Sequence, residues 1–191
     1  MKSSPPRRIL IVSGPLGSGK TTLARPLARR LGFALLCKDD IKESLYISMG
    51  GSAGDPDFSG RIGAAAMDLL WVLGARCPMV VLEANFRTRS LQERARLAAL
   101  EGKVVEVHCR VPLEEASRRF AERARQQRHH PAHPLAEMSP ERLGEYAEPF
   151  ALSPVIEVDT SRPVDLEALI ESVHATWPSP GPSAQPAGHL E

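Results

Sequence analysis

Residues 14–21 combine glycines, a lysine and a hydroxyl side chain at a spacing that suits phosphate binding. They read GPLGSGKT and match the pattern G-x-x-x-x-G-K-[ST]; we call them the phosphate loop. Glycines let backbone N–H groups approach a phosphate closely, and a helix start adds unpaired N–H groups. The pattern predicts that Lys20 reaches the β- and γ-phosphates of ATP and that the Thr21 hydroxyl binds Mg²⁺. The predicted nucleotide site comprises Gly14, Pro15, Leu16, Gly17, Ser18, Gly19, Lys20, Thr21 and Thr22.

Two neighbouring carboxylates, Asp39 and Asp40, follow the second predicted strand. Ligands of parallel sheets bind beyond the carboxyl ends of the strands, so we expect these side chains near the phosphate loop. A carboxylate there can accept the proton of an attacking hydroxyl group, and Lys42 could hold an anionic group nearby. Asp39 is the better candidate for the base, because Asp40 lies about 100° further round the helix. The alternative is that Asp39 only caps the following helix, a position that suits aspartate.

Five arginines lie within eleven residues, at positions 118, 119, 123, 125 and 128. Arg119 and Arg123 are four residues apart and therefore share one face of a helix. Guanidinium groups match the charge that spreads over a transferring phosphoryl group. The alternative is a solvated helix face paired with glutamates 114, 115 and 122. The break in the helical pattern over residues 126–134 favours the first interpretation, because it predicts a mobile lid.

Glu83 ends the apolar run Met79–Glu83. It could orient the acceptor or a water molecule on Mg²⁺, and it could equally be an exposed strand terminus.

Three histidines and a cysteine near these segments have ordinary explanations. Prolines separate His129, His130 and His133, so no helical histidine pair with metal-ligand spacing forms, and we expect lid contacts or plain surface. Cys37 is expected to be a buried strand thiol.

Apolar runs alternate with helical patterns along the chain. The runs at residues 9–12, 33–37, 79–83, 104–109 and 155–158 predict strands buried on both faces. A helix is predicted from Lys20 to Leu31, ended by Gly32 and kinked by Pro26, and another helix begins after Ser90. This alternation predicts an α/β fold with a mostly parallel five-stranded sheet flanked by helices. We expect one domain over residues 1–177 with a small helical lid at about 112–138, and a disordered tail over residues 178–191 that holds four prolines.

Composition excludes several classes of protein. The formal net charge is +1 and aromatic residues make up 5%, so no strongly basic nucleic-acid-binding surface is indicated. No run approaches the roughly 20 apolar residues of a membrane span. The three cysteines lie far apart, which is typical of a reducing compartment. We expect a soluble, cytoplasmic protein.

The segments GPLGSGKTT and CKDDIKESL resemble the kinase domain of phage polynucleotide 5′-kinase and its small relatives, the chloramphenicol phosphotransferases and zeta toxins. The resemblance spans about residues 8–173 and implies the P-loop NTPase fold. It implies that Asp39 is the general base and that Lys42, where arginine is commoner, contacts the substrate. Glu83 corresponds to the acidic group after the next core strand.

The same resemblance implies roles for the lid arginines and for one loop. Arg123 corresponds to the lid arginine near the transferring phosphate, with Arg119 beside it at the nucleotide. The loop over residues 159–163 corresponds to the one that flanks adenine.

The leading hypothesis is an ATP-dependent kinase that transfers the γ-phosphate to a hydroxyl of a small molecule, such as an antibiotic, sugar or nucleoside. Asp40, Lys42 and Glu83 are its expected acceptor-binding residues, and residues 49–61 are expected to shape the pocket. A polynucleotide 5′-hydroxyl kinase is an alternative that ranks lower, because strand binding needs a basic groove with aromatic residues. A nucleotide-dependent switch without an acceptor is the alternative from another class, and it needs no base.

Overall fold

Five parallel strands form a single sheet within the part of the chain that the computed structural model describes, which is residues 6–52, 55–126, 130–134, 137–138 and 140–177. The strands are β1 (Arg8–Ser13), β2 (Ala34–Cys37), β3 (Met79–Glu83), β4 (Lys103–Arg110) and β5 (Val155–Asp159). Their order across the sheet is β2-β3-β1-β4-β5, and all four pairings are parallel. The predicted α/β class with a parallel five-stranded sheet is confirmed.

Helices connect the strands and cover the sheet. They are α1 (Lys20–Leu31), α2 (Lys38–Ser48), α3 (Pro56–Gly74), α4 (Leu91–Ala98), α5 (Leu113–Arg125), α6 (Pro140–Gly144) and α7 (Leu166–Thr176). Gly32 ends α1 in the left-handed region with φ 68, as the sequence predicted. Ser90 caps α4 by accepting a hydrogen bond from the backbone N–H of Glu93 at 3.5 Å. Helix α1 runs through Pro26 to Leu31, so the kink that we expect there does not end the helix.

The central strands β1, β3 and β4 are buried on both faces, which explains their apolar runs. The edge strands β2 and β5 are partly exposed, so the prediction of burial on both faces is wrong for these two. Leu10 and Val12 of β1 face a cluster that includes residues of α1 and α7. Ile9 and Ile11 face the opposite cluster, to which α3 and α4 contribute. With both faces covered by helices, the edge formed by the carboxyl ends of the strands is where a ligand can reach the sheet.

Two predicted regions extend beyond the described residues. The tail over residues 178–191 lies wholly outside them. Helix α5 lies within the predicted lid over residues 112–138, and residues 127–129 and 135–136 of that lid lie outside the described residues. No helix in the described ranges has the length and apolar character that crossing a membrane requires.

Candidate active site

The phosphate loop lies at the carboxyl end of β1 and leads into α1, the context that the sequence predicted. Its glycines 14, 17 and 19 have φ angles of 135, 78 and 81, which side chains rarely adopt. A Cβ atom at Gly14 would lie 2.5 Å from the carbonyl oxygen of Cys109, and one at Gly17 would lie 2.1 Å from that of Ala116. The loop therefore passes so close to β4 and α5 that only glycine fits at these two positions.

The other side of the loop is open and fits a phosphate group. A Cβ atom at Gly19 would meet nothing within 4 Å. The loop thus offers open space at Gly19, where the sequence predicts the phosphates of ATP. The buried Ser18 hydroxyl, which has no hydrogen-bond partner among the described residues, lies instead near the packed side, 3.0 Å from the position of a Cβ atom at Gly14.

Lys20 lies at the centre of a group of charges. Its ammonium group is buried and donates a hydrogen bond to the Pro15 carbonyl oxygen at 2.8 Å. Burial lowers the pKa of Lys20, while the carboxylates of Glu83 and Asp39 act in the opposite direction and Arg123 lowers it further. The structure therefore brings four predicted site residues within electrostatic reach of one another.

Glu83 is buried with 4% of its surface exposed, so the interpretation as an exposed strand terminus is wrong. One of its oxygens, Oε2, accepts hydrogen bonds from the Thr21 hydroxyl at 3.1 Å and from the Cys37 thiol at 2.7 Å. Burial raises the pKa of Glu83, and Lys20 opposes that change. Thr21 and Glu83 together supply neighbouring oxygen ligands, the type that Mg²⁺ prefers.

Cys37 is a buried thiol, as expected, but its contact with Glu83 was not predicted. Burial and the neighbouring Glu83 carboxylate raise the pKa of the thiol well above its usual range. It therefore remains a neutral donor towards Glu83.

Asp39 lies in the first turn of α2, but it does not cap the helix. Cys37 occupies the N-cap position and α2 has no side-chain cap, so the capping interpretation is wrong. The half-exposed Asp39 carboxylate accepts a hydrogen bond from Lys38 at 3.0 Å. Partial burial favours the protonated acid, but Lys38, His133 and Lys20 outweigh it and hold the pKa of Asp39 below its usual range. Asp39 is therefore ionised at neutral pH, as a general base must be.

The exposed Asp40 carboxylate points to a different partner. It pairs with the Arg25 guanidinium of α1 at 3.1 Å. The two aspartates thus have separate environments, in line with their angular separation on the helix.

Lys42 is buried, and its ammonium group is hydrogen-bonded to helix α3. Its ammonium donates to the Ser59 hydroxyl of α3 at 2.9 Å, and that hydroxyl donates to the Ala132 carbonyl at 2.7 Å. Burial lowers the pKa of Lys42 to about 8. An acceptor contact for Lys42 stays a prediction, because in this structure the ammonium connects α2 to the segment 130–134.

Segment 130–134 packs on α2 and α3 through side chains as well. The ring of His130 lies edge-on to Tyr46 with centroids 5.7 Å apart, and His133 Nε2 lies 3.1 Å from Glu43 Oε1. Ala132 is buried in the cluster of Tyr46 and Ile62. His130 and His133 therefore contact α2 and are not plain surface residues, whereas His129 lies outside the described residues.

The lid arginines separate into two groups. Arg118 and Arg125 form ion pairs with glutamates on their own helix, as the alternative of a solvated face predicted. Arg119 donates to Glu115 and to the Thr160 carbonyl at 3.0 Å, which ties α5 to the loop after β5. Arg123 is exposed, forms no ion pair or hydrogen bond with the described residues and lies within electrostatic reach of Lys20.

A buried polar network that was not predicted underlies the start of the phosphate loop. The fully buried Glu106 accepts hydrogen bonds from the Ser13 hydroxyl at 2.6 Å and from the backbone N–H groups of Phe150 and Ala151 at 3.1 and 3.2 Å. His108 Nδ1 lies 2.9 Å from the same Ser13 hydroxyl. Since Ser13 directly precedes Gly14, the network fixes the strand end from which the phosphate loop departs.

The chain resembles known kinases in sequence and in fold. A kinase candidate from Chloroflexus aurantiacus is 27% identical with a TM-score of 0.77, and the match covers 90% of this chain and 99% of that one. A gluconokinase from Sinorhizobium meliloti has the same fold at 19% identity, with a TM-score of 0.55 over 90% of this chain and 91% of that one. A gluconokinase candidate from Schizosaccharomyces pombe is 36% identical over 74 residues, which are 35% of this chain and 38% of that protein. The match with this curated relative therefore spans little more than a third of its length.

The sequence model of the AAA domain family covers the phosphate loop, both aspartates, Glu83 and the arginines of α5 in one continuous match. Because that match extends over residues 9–141, this chain belongs to the AAA domain family.

Proposed function

We propose that this protein transfers the γ-phosphate of ATP to a hydroxyl group of a small molecule. The observation that carries the proposal is the convergence of Lys20, Glu83, Asp39 and Arg123 beside the phosphate loop. A nucleotide-binding protein without an acceptor would need the lysine and the loop, but it would not need an ionised aspartate facing them. The resemblance to gluconokinases supports a sugar-like acceptor.

Lys20 binds the nucleotide by exchanging partners. In this structure it donates to the neutral carbonyl of Pro15 at 2.8 Å. Phosphate oxygens are charged acceptors and form stronger hydrogen bonds, so the ammonium moves from the carbonyl to the phosphates when nucleotide binds. The carboxylates of Glu83 and Asp39 oppose the lowering of the Lys20 pKa by burial.

Thr21 and Glu83 are the residues that would hold Mg²⁺. Mg²⁺ bound there would neutralise charge on the β- and γ-phosphates. The Cys37 and Thr21 donors both bind Oε2 of Glu83, and no described residue donates to Oε1. That oxygen is the one that can accept a hydrogen bond from a water molecule in the ligand shell.

Asp39 accepts the proton of the acceptor hydroxyl as its oxygen attacks the γ-phosphate. Lys38 fixes one carboxylate oxygen at 3.0 Å, which leaves the other for the hydroxyl. The depressed pKa of Asp39 keeps the carboxylate ready to accept, and the proton leaves with the phosphorylated product or passes to solvent.

Arg123 and Arg119 act on the nucleotide side. The exposed Arg123 guanidinium can swing towards the γ-phosphate and stabilise the charge that develops during transfer. Arg119 holds the Thr160 carbonyl, so it connects α5 to the loop that we expect beside adenine.

An acceptor screen tests the proposed function. ADP formation from ATP would be measured with antibiotics, sugars, sugar acids, nucleosides and 5′-hydroxyl oligonucleotides, each with wild type and with Lys20→Ala. We expect one class of small molecule to raise ADP formation above the acceptor-free rate, and the Lys20→Ala variant to abolish that increase. If no small molecule accelerates ADP formation, or only oligonucleotides do, the proposal is wrong.

A further inference from the structure

A cavity of about 700 Å³ lies at the carboxyl edge of the sheet. None of the residues to which a catalytic or binding role is given above lines it. One wall is the segment after β3, and the other is α6 with the residues that follow it. Its lining includes Arg87, Arg89, Arg142, Glu145, Ala147 and Glu148. This volume is typical of a site for a small molecule.

Hydrogen bonds and one charge interaction link the first wall to the proposed base. The backbone N–H of Arg87 donates to Glu93 at 3.0 Å. The Glu93 carboxylate interacts electrostatically with Lys38, which donates a hydrogen bond to Asp39 at 3.0 Å. The first wall is therefore linked to the side of the site that carries Asp39.

The second wall is connected to the phosphate loop. The Ala147 carbonyl oxygen accepts a hydrogen bond from His108 Nε2 at 2.9 Å, because a carbonyl oxygen can only accept. The other ring nitrogen of His108 lies 2.9 Å from the hydroxyl of Ser13, the last residue before the loop. One wall of the cavity is thus linked to the Asp39 side of the site, and the other wall is linked to the start of the phosphate loop.

The two walls are held at a fixed spacing. The Arg94 guanidinium donates to the Thr88 carbonyl of the first wall at 3.1 Å and to the Phe150 carbonyl near the second at 2.9 Å. The rings of Phe86 and Phe150 pack behind the cavity with centroids 5.5 Å apart. The cavity is therefore formed before any ligand binds.

The charges in the cavity favour an anion with hydroxyl groups. Three arginines face two glutamates, and Glu145 lies 3.8 Å from Arg87. The Arg89 side chain is exposed and makes no hydrogen bond or ion pair with the described residues. A guanidinium group binds a carboxylate or phosphate through two parallel hydrogen bonds, and Glu148 can accept hydrogen bonds from hydroxyl groups.

We propose that this cavity binds the acceptor, and that the acceptor is a hydroxyl compound carrying a carboxylate or phosphate group that Arg89 and its neighbours recognise. The proposal rests on the proposed kinase function and specifies its class of substrate. Neutral sugars and alcohols are expected to be poor acceptors, because they leave the Arg89 guanidinium without a charged partner.

Matched acceptors test the proposal through rates. Sorbitol, gluconate and glucose 6-phosphate offer similar hydroxyl groups with no charge, a carboxylate and a phosphate, so they separate the two possible anions. We expect at least one anionic compound to have a kcat/KM about tenfold or more above that of sorbitol. The Arg89→Ala variant should raise KM for that compound about ten- to a hundredfold, as expected for loss of a charged hydrogen bond, and leave kcat and ATP binding unchanged.

Arg96→Ala is the matched control, since Arg96 is also a surface arginine but pairs with Asp68 away from the cavity. Its KM should equal that of wild type. If sorbitol reacts as well as the anionic compounds, or if Arg89→Ala leaves KM unchanged, the cavity proposal is wrong while the kinase function stands.

Calorimetry gives a readout that does not need turnover. Gluconate and glucose 6-phosphate would be titrated into wild type and Arg89→Ala, each saturated with a non-hydrolysable ATP analogue. Binding to wild type that weakens at least tenfold in Arg89→Ala supports the cavity even if no small molecule in the acceptor screen accelerates ADP formation, in which case the proposed function fails alone. Equal binding to both proteins, or binding to neither, overturns the cavity proposal.

Discussion

Two alanine substitutions in the phosphate loop separate backbone strain from close packing. Gly17 and Gly19 have nearly the same φ, 78 and 81, so an alanine pays the same cost of about 1–2 kcal/mol at either position for a left-handed conformation. The added methyl group differs in its surroundings. At Gly19 it meets nothing within 4 Å, whereas at Gly17 it lies 2.1 Å from the Ala116 carbonyl oxygen in the backbone of α5.

A backbone carbonyl cannot turn away as a flexible side chain does, so α5 and the loop must move apart. Overpacking of this kind typically costs about 1–3 kcal/mol. We therefore expect Gly19→Ala to lower the free energy of unfolding by about 1–2 kcal/mol and Gly17→Ala by about 2–5 kcal/mol. Since α5 carries Arg119 and Arg123, Gly17→Ala should also lower kcat.

Urea denaturation of the nucleotide-free proteins measures the difference without interference from phosphate contacts. Both variants should keep the wild-type m-value, and the midpoint should fall further for Gly17→Ala. Equal losses of stability in the two variants would refute the close contact between the phosphate loop and α5.

Three further predictions follow from other contacts. Glu106→Gln replaces a buried carboxylate that accepts three hydrogen bonds, so it should lower the free energy of unfolding by about 1–3 kcal/mol in urea denaturation. The control Glu157→Gln, at an exposed ion pair, should lower it by less than about 1 kcal/mol, and equal losses in the two variants would contradict the network. The Lys42 pKa of about 8 lies below the usual lysine value of 10.5, so the unfolded chain binds more protons than the folded protein between these pH values. The free energy of unfolding should therefore rise with pH in this range, more in wild type than in Lys42→Met, and identical pH profiles would contradict the shift. Arg123→Ala should lower kcat for transfer from ATP far more than it lowers ATP affinity, whereas Arg118→Ala should change neither quantity. An unchanged kcat in Arg123→Ala would show that Arg123 has no role in transfer.

The fold could be predicted because its signals are local. Buried parallel strands need apolar residues on both faces, so β1 and β3 appear in the sequence as short apolar runs, and glycine ends α1 where a left-handed residue is required. The phosphate loop is equally local, since all its atoms come from neighbouring residues.

The contacts that join distant segments could not be predicted. Cys37 meets Glu83 across 46 residues, and Ser59 meets Ala132 across 73. Neither pair leaves a periodic pattern in the sequence, because each depends on which strands and helices become neighbours. The run over residues 104–109 shows the same limit. Its burial was predicted, but nothing in the sequence indicates that Glu106 and His108 contact Ser13 of the adjacent strand.

The arginine cluster shows why composition alone leaves alternatives open. Arg118 and Arg119 are adjacent in sequence, and both bind Glu115. Only Arg119 also reaches the Thr160 carbonyl, because the helix turns that side chain towards the loop after β5. The interpretation as a solvated face is therefore correct for Arg118 and Arg125, while a role of Arg119 and Arg123 in phosphoryl transfer stays a prediction.

The central claim is that Asp39 accepts the proton of an acceptor hydroxyl during transfer from ATP. The decisive measurement compares kcat of Asp39→Asn and Asp40→Asn on the acceptor found in the screen, with ATP affinity measured by calorimetry. General-base contributions are typically about 10²–10⁴-fold, so Asp39→Asn should lose at least about a hundredfold in kcat while it still binds ATP. Asp40→Asn, which only removes an exposed pair with Arg25, should lose much less. A wild-type kcat in Asp39→Asn, or a larger loss in Asp40→Asn, would contradict the account.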